Sequence, residues 1–250
     1  PPPPQDIDMV LVNITGPVAV VEGQTTTAYT VSLTNNGAPI QVAAGESITV
    51  QLNYSGQASD GTDFTGVKTV TISGPASSAS FTLDTLDDAI AEGAESFTVT
   101  LGNITDSGAF EAIKAGAQNS VETTITDNDV TIITVNGGVS NGNVDVMEGD
   151  SAIFTVQVNK AALNSTVALA LGETGDTATN AVDYKTAFEY SLDNGVTWTS
   201  YTQDIDLPAG GNQTILVRTQ TSDDALREPN EIYTLNATLT SGASALDASG

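Results

Sequence analysis

The chain contains no cysteine and no histidine. Without cysteine it can form no disulfide, thiolate nucleophile, zinc ribbon or iron–sulfur cluster. Without histidine it lacks the usual general base near neutral pH and the commonest transition-metal ligand. Cations are almost as scarce: 6 Lys and Arg stand against 31 Asp and Glu, a formal net charge of −25. A nucleic-acid surface needs clustered Lys and Arg to displace counterions from phosphate, and an anionic membrane surface needs them as well, so the balance argues against both. Aromatic residues make up only 5% of the chain. Paired carboxylates could serve a glycosidase, but that reading needs a cleft with aromatic walls. No enzyme is expected. No apolar run approaches the roughly 20 residues of a membrane span, and Pro1-Pro2-Pro3-Pro4 is not a signal peptide. That opening reads as a stiff polyproline II linker in an excerpt of something longer.

What is present is a set of Thr- and Val-rich stretches alternating with period two and separated by Gly, Asn, Asp and Ser. Val10–Ile14, Thr27–Leu33, Ser47–Tyr54, Val67–Ile72, Ser78–Leu83, Ser96–Leu101 and Val121–Thr126 form a first series. Thr131–Val135, Ala152–Val158, Thr166–Leu171, Phe188–Ser191, Gln213–Thr219 and Ile232–Leu239 form a second. No stretch sustains a helical apolar period with caps; Ala109–Ala115 is the best candidate for a helical turn. With 39% hydrophobic residues the chain can bury cores, and 250 residues accommodate two domains or one large β domain. The pattern predicts an all-β protein of antiparallel sandwiches.

An internal repeat decides for two domains. Val21-Glu22-Gly23 with Tyr29-Thr30-Val31 matches Met147-Glu148-Gly149 with Phe154-Thr155-Val156. Asp63-Phe64 matches Asp183-Tyr184, and Asp87-Asp88 through Glu92 and Glu95 to Phe97 matches Asp223-Asp224 through Glu228 and Glu231 to Tyr233. One small deletion and one insertion around Tyr190–Gln203, which carries the lone Trp198, align the rest. The domains are placed at 5–129 and 130–250, joined with almost no linker at Asp127-Asn128-Asp129-Val130. The second copy is expected to lack its last strand, either because the excerpt is cut there or because the strand comes from elsewhere. An open sheet edge would result.

In a seven-strand sandwich the A–B, C–D and E–F loops and the exit of strand G lie at the same end. The sequence puts Glu22 in the first, Asp60 and Asp63 in the second, Asp87, Asp88, Glu92 and Glu95 in the third, and Asp127 and Asp129 at the fourth. Carboxylate pairs about 6 Å apart repel by roughly 3 kcal/mol at an effective dielectric near 20. With only Lys68 and Lys114 as bases in this domain, no side-chain neutralisation is expected. A hard divalent cation is the natural counter-charge, and oxygen-only ligands select Ca²⁺ over zinc or copper; magnesium keeps more waters and fits less well. A lone Asp in a turn is as often merely solvated. The recurrence of Asp-Asp-x-x-x-Glu-x-x-Glu in both copies, in a chain with few other charges, favours metal.

These residues, together with Asp60-Gly61-Thr62-Asp63-Phe64 and Thr126-Asp127-Asn128-Asp129, resemble Calx-beta domains over nearly the whole chain. The resemblance implies Ig-like sandwiches that bind several Ca²⁺ ions at one tip. It places Glu22, Asp63, Asp87, Asp88, Glu92, Glu95, Asp127 and Asp129 on ligand positions, and in the second copy Glu148, Asp183, Asp223, Asp224, Glu228 and Glu231. Asn180 stands near the position of Asp60, the terminal Asp-Asn-Asp has no counterpart, and Arg227 adjoins Glu228; the second site should hold fewer ions, or hold them more weakly. The tandem layout and the segment Phe188–Leu207 also look like extender repeats of giant, LapA-like, type I-secreted RTX adhesins.

That resemblance implies a calcium-rigidified spacer at a bacterial cell surface, used in adhesion and biofilm formation. Its partners would be neighbouring repeats of the same chain, with no nucleic acid and no membrane insertion, and the isolated fragment would be monomeric. A glycan- or protein-binding module is a second expectation, with Trp198 and Tyr201 as a stacking platform; a core or edge role for these aromatics is the commoner one. A third is a Ca²⁺ sensor of an ion exchanger or signalling protein. Six Asn-x-Ser/Thr sequons, at Asn13, Asn53, Asn103, Asn164, Asn212 and Asn236, are no more than a chain so rich in these residues yields by chance.

Overall fold

A computed structural model describes residues 9–135 and 144–241. They form two compact units, one running to Asp88 and resuming over Gly93–Asn128, the other comprising Ala89–Glu92 and the chain from Asp129. Among the described residues every regular element is a strand. The proline opening and the expected last strand of the second copy lie outside the described residues.

In the first unit the strands are β1 (Met9–Thr15), β2 (Ala19–Val21), β3 (Tyr29–Asn35), β4 (Ala38–Pro39), β5 (Ser47–Gly56), β6 (Phe64–Thr65), β7 (Thr69–Ser73), β8 (Ser78–Phe81), β9 (Asp84–Thr85), β10 (Glu95–Asp106), β11 (Ala112–Ala115) and β12 (Ser120–Thr126). One sheet runs β11-β1-β3-β4 with β8 also on β3; the other runs β2-β12-β10-β5-β7, and β6 pairs β9 separately. Alternation along each strand sends Val10, Val12 and Ile14 inward from β1, and Phe97, Val99 and Leu101 inward from β10. Tyr29 is fully buried, and its hydroxyl shares a 2.6 Å hydrogen bond with that of Thr123, also fully buried. That bond ties the two sheets at the core, where an unpaired hydroxyl would be costly.

The second unit holds β13 (Ile132–Val135), β14 (Ser151–Ala161), β15 (Ser165–Leu171), β16 (Glu189–Ser191), β17 (Thr199–Ser200), β18 (Ile205–Leu207), β19 (Gly211–Gln220) and β20 (Leu235–Ser241). Its sheets are ordered β13-β14-β19-β16-β17 and β18-β15-β20, around a core that includes Val156, Val158, Val167, Ile215 and Val217. The insertion containing Trp198 is the β16–β17 hairpin. Asp193 closes it, accepting bonds from the Thr197 amide at 2.8 Å, the Thr197 hydroxyl at 2.6 Å and the Ser191 hydroxyl at 2.7 Å.

Two expectations need correction. Ala109–Ala115 is not a helical turn: Ala112–Ala115 forms a strand parallel to β1, in the register Met9↔Ala112 to Val12↔Ala115. A short apolar segment carries no period of its own, and the free edge of β1 captures it. The strand Ile232–Leu239 begins later, at Leu235, because Ile232 and Thr234 bond to the Thr177 and Asp176 side chains instead.

Candidate metal centre

In the first unit four chain segments meet at one end of the sandwich. The Glu22 amide bonds to the Thr126 carbonyl at 3.0 Å, the Thr85 amide to Gln24 O at 3.0 Å, and the Leu86 amide to Asp63 O at 2.9 Å. The turn around Gly23 rests on Thr85, whose hydroxyl donates toward the carbonyls of Val21 (3.1 Å) and Gln24 (2.8 Å). Gly23 has φ +72°, and a Cβ there would lie 3.0 Å from that of Asp87. Only glycine lets the two loops close so far.

Backbone bonding therefore fixes where the carboxylates stand. Glu22 is 8% exposed, with the Asp88 amide 3.3 Å from its Oε1. Burial, with the charges of Asp127 and Asp88 behind it, pushes its carboxyl up to about 7. Asn128 donates from Nδ2 both to the Glu22 carbonyl and to Asp87 Oδ1, each at 3.1 Å. Asp63 accepts the Ser59 amide at 2.6 Å. Glu95 is raised by burial and by the charge of Asp63. Glu22, Asp63, Asp87, Asp88, Glu95 and Asp127 are thus brought to one end of this unit.

Asp60 is arranged differently. It accepts the Gly66 amide at 2.8 Å and pairs with Lys68, which holds its carboxyl below the ordinary value. Lys68 does neutralise one acid of this domain, contrary to the expectation that none would be neutralised. Lys68 lies in the short connection between β6 and β7, two residues beyond Gly66, whose amide Asp60 also accepts. Glu92 and Asp129 belong to the second compact unit, where the fully buried Asp129 carboxylate pairs with Lys160.

The second unit repeats the same frame. Thr221 donates its hydroxyl to the carbonyls of Met147 (3.1 Å) and Asp150 (2.8 Å), as Thr85 does in the first. The Asp183 carboxylate accepts the Thr179 amide at 2.5 Å, as Asp63 does Ser59. The Ser222 amide bonds to Asp183 O at 2.8 Å, matching Leu86 on Asp63. Gly149, φ +85°, faces Asp223 with a would-be Cβ contact of 3.1 Å. Asn180 occupies the Asp60 position: Asn180↔Tyr184 is a parallel bridge, as Asp60↔Phe64 is.

Here Asp183, Glu228 and Glu231 bring one carboxylate oxygen each within 4.8 Å of the others. Glu231 is raised by lost hydration, by Asp183 and by the charges of Glu228 and Glu148. Glu228 is raised by lost hydration and by Asp224, Asp183 and Glu148. Asp224 also accepts the Leu226 amide at 2.6 Å. The close trio thus lies in the copy that the sequence ranks as the weaker site.

The donor set fits a hard cation: oxygen only, crowded enough to raise four glutamates, and anchored by backbone amides that pre-orient it. In unit one Glu22, Asp63, Asp87, Asp88, Glu95 and Asp127 would hold it; in unit two Glu148, Asp183, Asp223, Asp224, Glu228 and Glu231. Sequence reasoning missed Asn128, which braces two ligand positions, and the roles of Lys68 and Lys160. The Asn within Asp-Asn-Asp was the available signal for the first.

Trp198 does not present an open platform. The Arg218 guanidinium lies 4.2 Å from its ring centroid and bonds to Glu189 at 2.7 Å. Tyr201 stacks on Phe188 at 4.7 Å, and its hydroxyl accepts the Leu169 amide at 2.8 Å. Both aromatics are engaged within the unit.

The Calx-beta domain family model matches residues 7–129 and 126–201. Among solved structures, the apo-form Calx CBD1 domain is 22% identical, covers 50% of this chain and all of its own, with a TM-score of 0.38. CBD12 from CALX1.2 is 16% identical over 94% of this chain and 83% of its own, TM-score 0.38. CBD12 of CALX1.1 is 18% identical over 90% and 80%, TM-score 0.37. No curated protein matches the chain.

Proposed function

The chain belongs to the Calx-beta family, and from that premise we propose that its two repeats bind Ca²⁺ at their acidic ends and serve as calcium-stiffened spacers of a large bacterial surface adhesin. The observation that carries calcium binding is the duplicated frame. In both units a threonine braces the glycine turn, an aspartate caps the next loop, and acids are held together that repel without a cation. The spacer role rests on the tandem repeat joined at Asp127-Asn128-Asp129-Val130 with almost no linker. An ion that binds only the ordered end stabilises it by mass action. Such repeats act at the cell surface, with neighbouring repeats as partners, and project a distal binding region.

Calorimetric titration with Ca²⁺, followed by small-angle scattering in calcium and in EDTA, tests this. Dissociation constants of about 10⁻⁴–10⁻³ M suit extracellular modules, and values of about 10⁻⁷–10⁻⁵ M suit a sensor. Weak sites with a scattering profile that broadens in EDTA support the spacer. Micromolar or tighter sites would favour the family's use in ion-exchange regulation, and absence of heat would sink calcium binding altogether.

A further inference from the structure

Six basic side chains punctuate the sequence, and all but one are built into the backbone network. Lys114 stands in β11, opposite Leu11 of β1. Arg218 stands in β19, with Ile153 on one side and Glu189 on the other. The Lys68 carbonyl accepts the Leu52 amide at 2.9 Å, and the Lys185 amide bonds to Gln220 O at 2.8 Å. The Lys160 carbonyl accepts the Thr131 hydroxyl at 2.9 Å, and the Lys160 amide bonds to the Asn212 side chain at 3.0 Å. Before a bond beside any of these residues enters a protease cleft, such contacts must break and draw backbone out of the sandwich.

Arg227 is the exception. Every residue over 223–232 is exposed, and the segment holds no regular structure. Its backbone is tied near its two ends: the Leu226 amide bonds to the Asp224 carboxylate at 2.6 Å, and the Ile232 amide to the Thr177 hydroxyl at 2.9 Å. Between those ties, over 227–231, no backbone group makes a hydrogen bond among the described residues. In the first copy the matching residue is Ala91, which is 1% exposed and not basic. Glu228, which follows Arg227, is one of the trio with Asp183 and Glu231.

We propose that the bond between Arg227 and Glu228 is a calcium-gated cleavage site for serine proteases that cut after arginine. Exposed, weakly tied segments are where chains are nicked, because little structure must open before the backbone extends into the cleft. Cleavage adds one water across the bond. The Arg227 carbonyl carbon passes through the protease acyl-ester to a carboxylate, and the nitrogen leaves as the α-amine of Glu228. The gate rests on the calcium reading above; the cleavage site does not. An ion held by Asp183, Glu228 and Glu231 pins the residue directly after the scissile bond. At 100 times Kd it lowers the open population about 100-fold, and where opening is fast relative to cleavage the rate falls in step. Once the bond is cut, the new α-ammonium of Glu228 stands beside the same carboxylates as a competing cation, so restoring calcium does not rebuild the site.

The test is limited digestion of the 250-residue protein with trypsin, in CaCl₂ and in EDTA at matched ionic strength, followed by intact mass. Trypsin activity on a small ester substrate in each buffer normalises the rates. The expected first products are residues 1–227 and 228–250, formed at least about tenfold faster in EDTA. Arg227→Gln should remove that cut in both buffers and leave the thermal melt unchanged. Glu228→Gln should still be cut after Arg227 but lose most of the protection by calcium. A first cut at any other basic residue, or an Arg227→Gln chain digested at the wild-type rate, overturns the proposal. So do equal rates in the two buffers when calorimetry shows calcium bound. Equal rates with no heat of calcium binding mark failure of the calcium reading instead, and the gate falls with it.

Discussion

At the scale of single residues, Glu22 carries the sharpest consequence. Its carboxyl is pushed up from 4.5 to about 7 by burial and by the charges of Asp127 and Asp88. A raised folded value means that the folded state holds the proton more tightly. The protonated form therefore supports the metal-free fold fully below pH 4.5, and that support fades as pH rises toward 7. The swing is of the order of 3 kcal/mol. In EDTA the first unit should melt higher at pH 5 than at pH 7.5, and Glu22→Gln should flatten that dependence. Calcium requires the charged form, so apparent affinity should fall as pH drops below 7, with proton release on binding measurable in buffers of different ionisation heat. An affinity flat from pH 5 to 8 would remove Glu22 from the ligands. The candidate positions could be read from the sequence because the acidic spacing recurs in both copies. What could not be read was how each is engaged. The diversion of Asp60 by Lys68 depends on how the connection after β6 folds over the Asp60 turn, which no spacing reveals, and the bracing by Asn128 looks in sequence like any turn asparagine.

At the scale of elements, the strands themselves were legible wherever Thr and Val alternate against a buried partner. Val10–Ile14 lies within β1, Ser47–Tyr54 within β5 and Thr166–Leu171 within β15. The strands of two to four residues, such as β2, β6 and β9, were not, since they exist only through the neighbour that hydrogen-bonds them. The glycine turns are where local conformation and site geometry depend on each other most directly. Gly23→Ala and Gly149→Ala each force a side chain into positive φ and against an aspartate, and should cost about 1–2 kcal/mol. Gly37→Ala, at φ +81° but with open space around it, should cost less. Denaturant melts of the three variants give that ranking; equal costs would mean that the loop contact contributes nothing. The β16–β17 hairpin makes a contrasting case. Bonds from the Thr197 side chain, the Thr197 amide and Ser191 lower Asp193 to about 2, so the closed turn persists in acid until pH falls through that value. Asp193→Ala should speed amide exchange over 189–200 and leave calcium affinity unchanged, because the bonds of Asp193 run to Ser191 and Thr197 within the hairpin.

At the scale of the whole molecule, the scarcity of cations acquires a specific meaning. The chain carries −25, and among the described residues two of its six basic side chains, Lys68 and Lys160, already pair with candidate ligands, while Arg218 pairs with Glu189. The remaining acids have little internal compensation, so the folded state in EDTA works against its own field. Two remedies differ in kind. Monovalent salt screens all charges, with a Debye length near 10 Å at 0.1 M, and acts without saturating at any particular site. Calcium binds the ordered ends and stabilises by RT ln(1 + [Ca²⁺]/Kd), about 2.7 kcal/mol at 100 times Kd. For a unit of roughly 120 residues that corresponds to about 10 °C in Tm. Thermal melts should therefore show a steep, saturable rise with CaCl₂ at fixed ionic strength, and only a shallow rise when NaCl replaces it. Magnesium should give less than calcium at equal concentration, because crowded carboxylates suit an ion that sheds its water readily. If calcium and sodium produced the same shift at matched ionic strength, the acids would be a diffuse surface charge rather than ligands, and the duplicated loop frame would need another explanation.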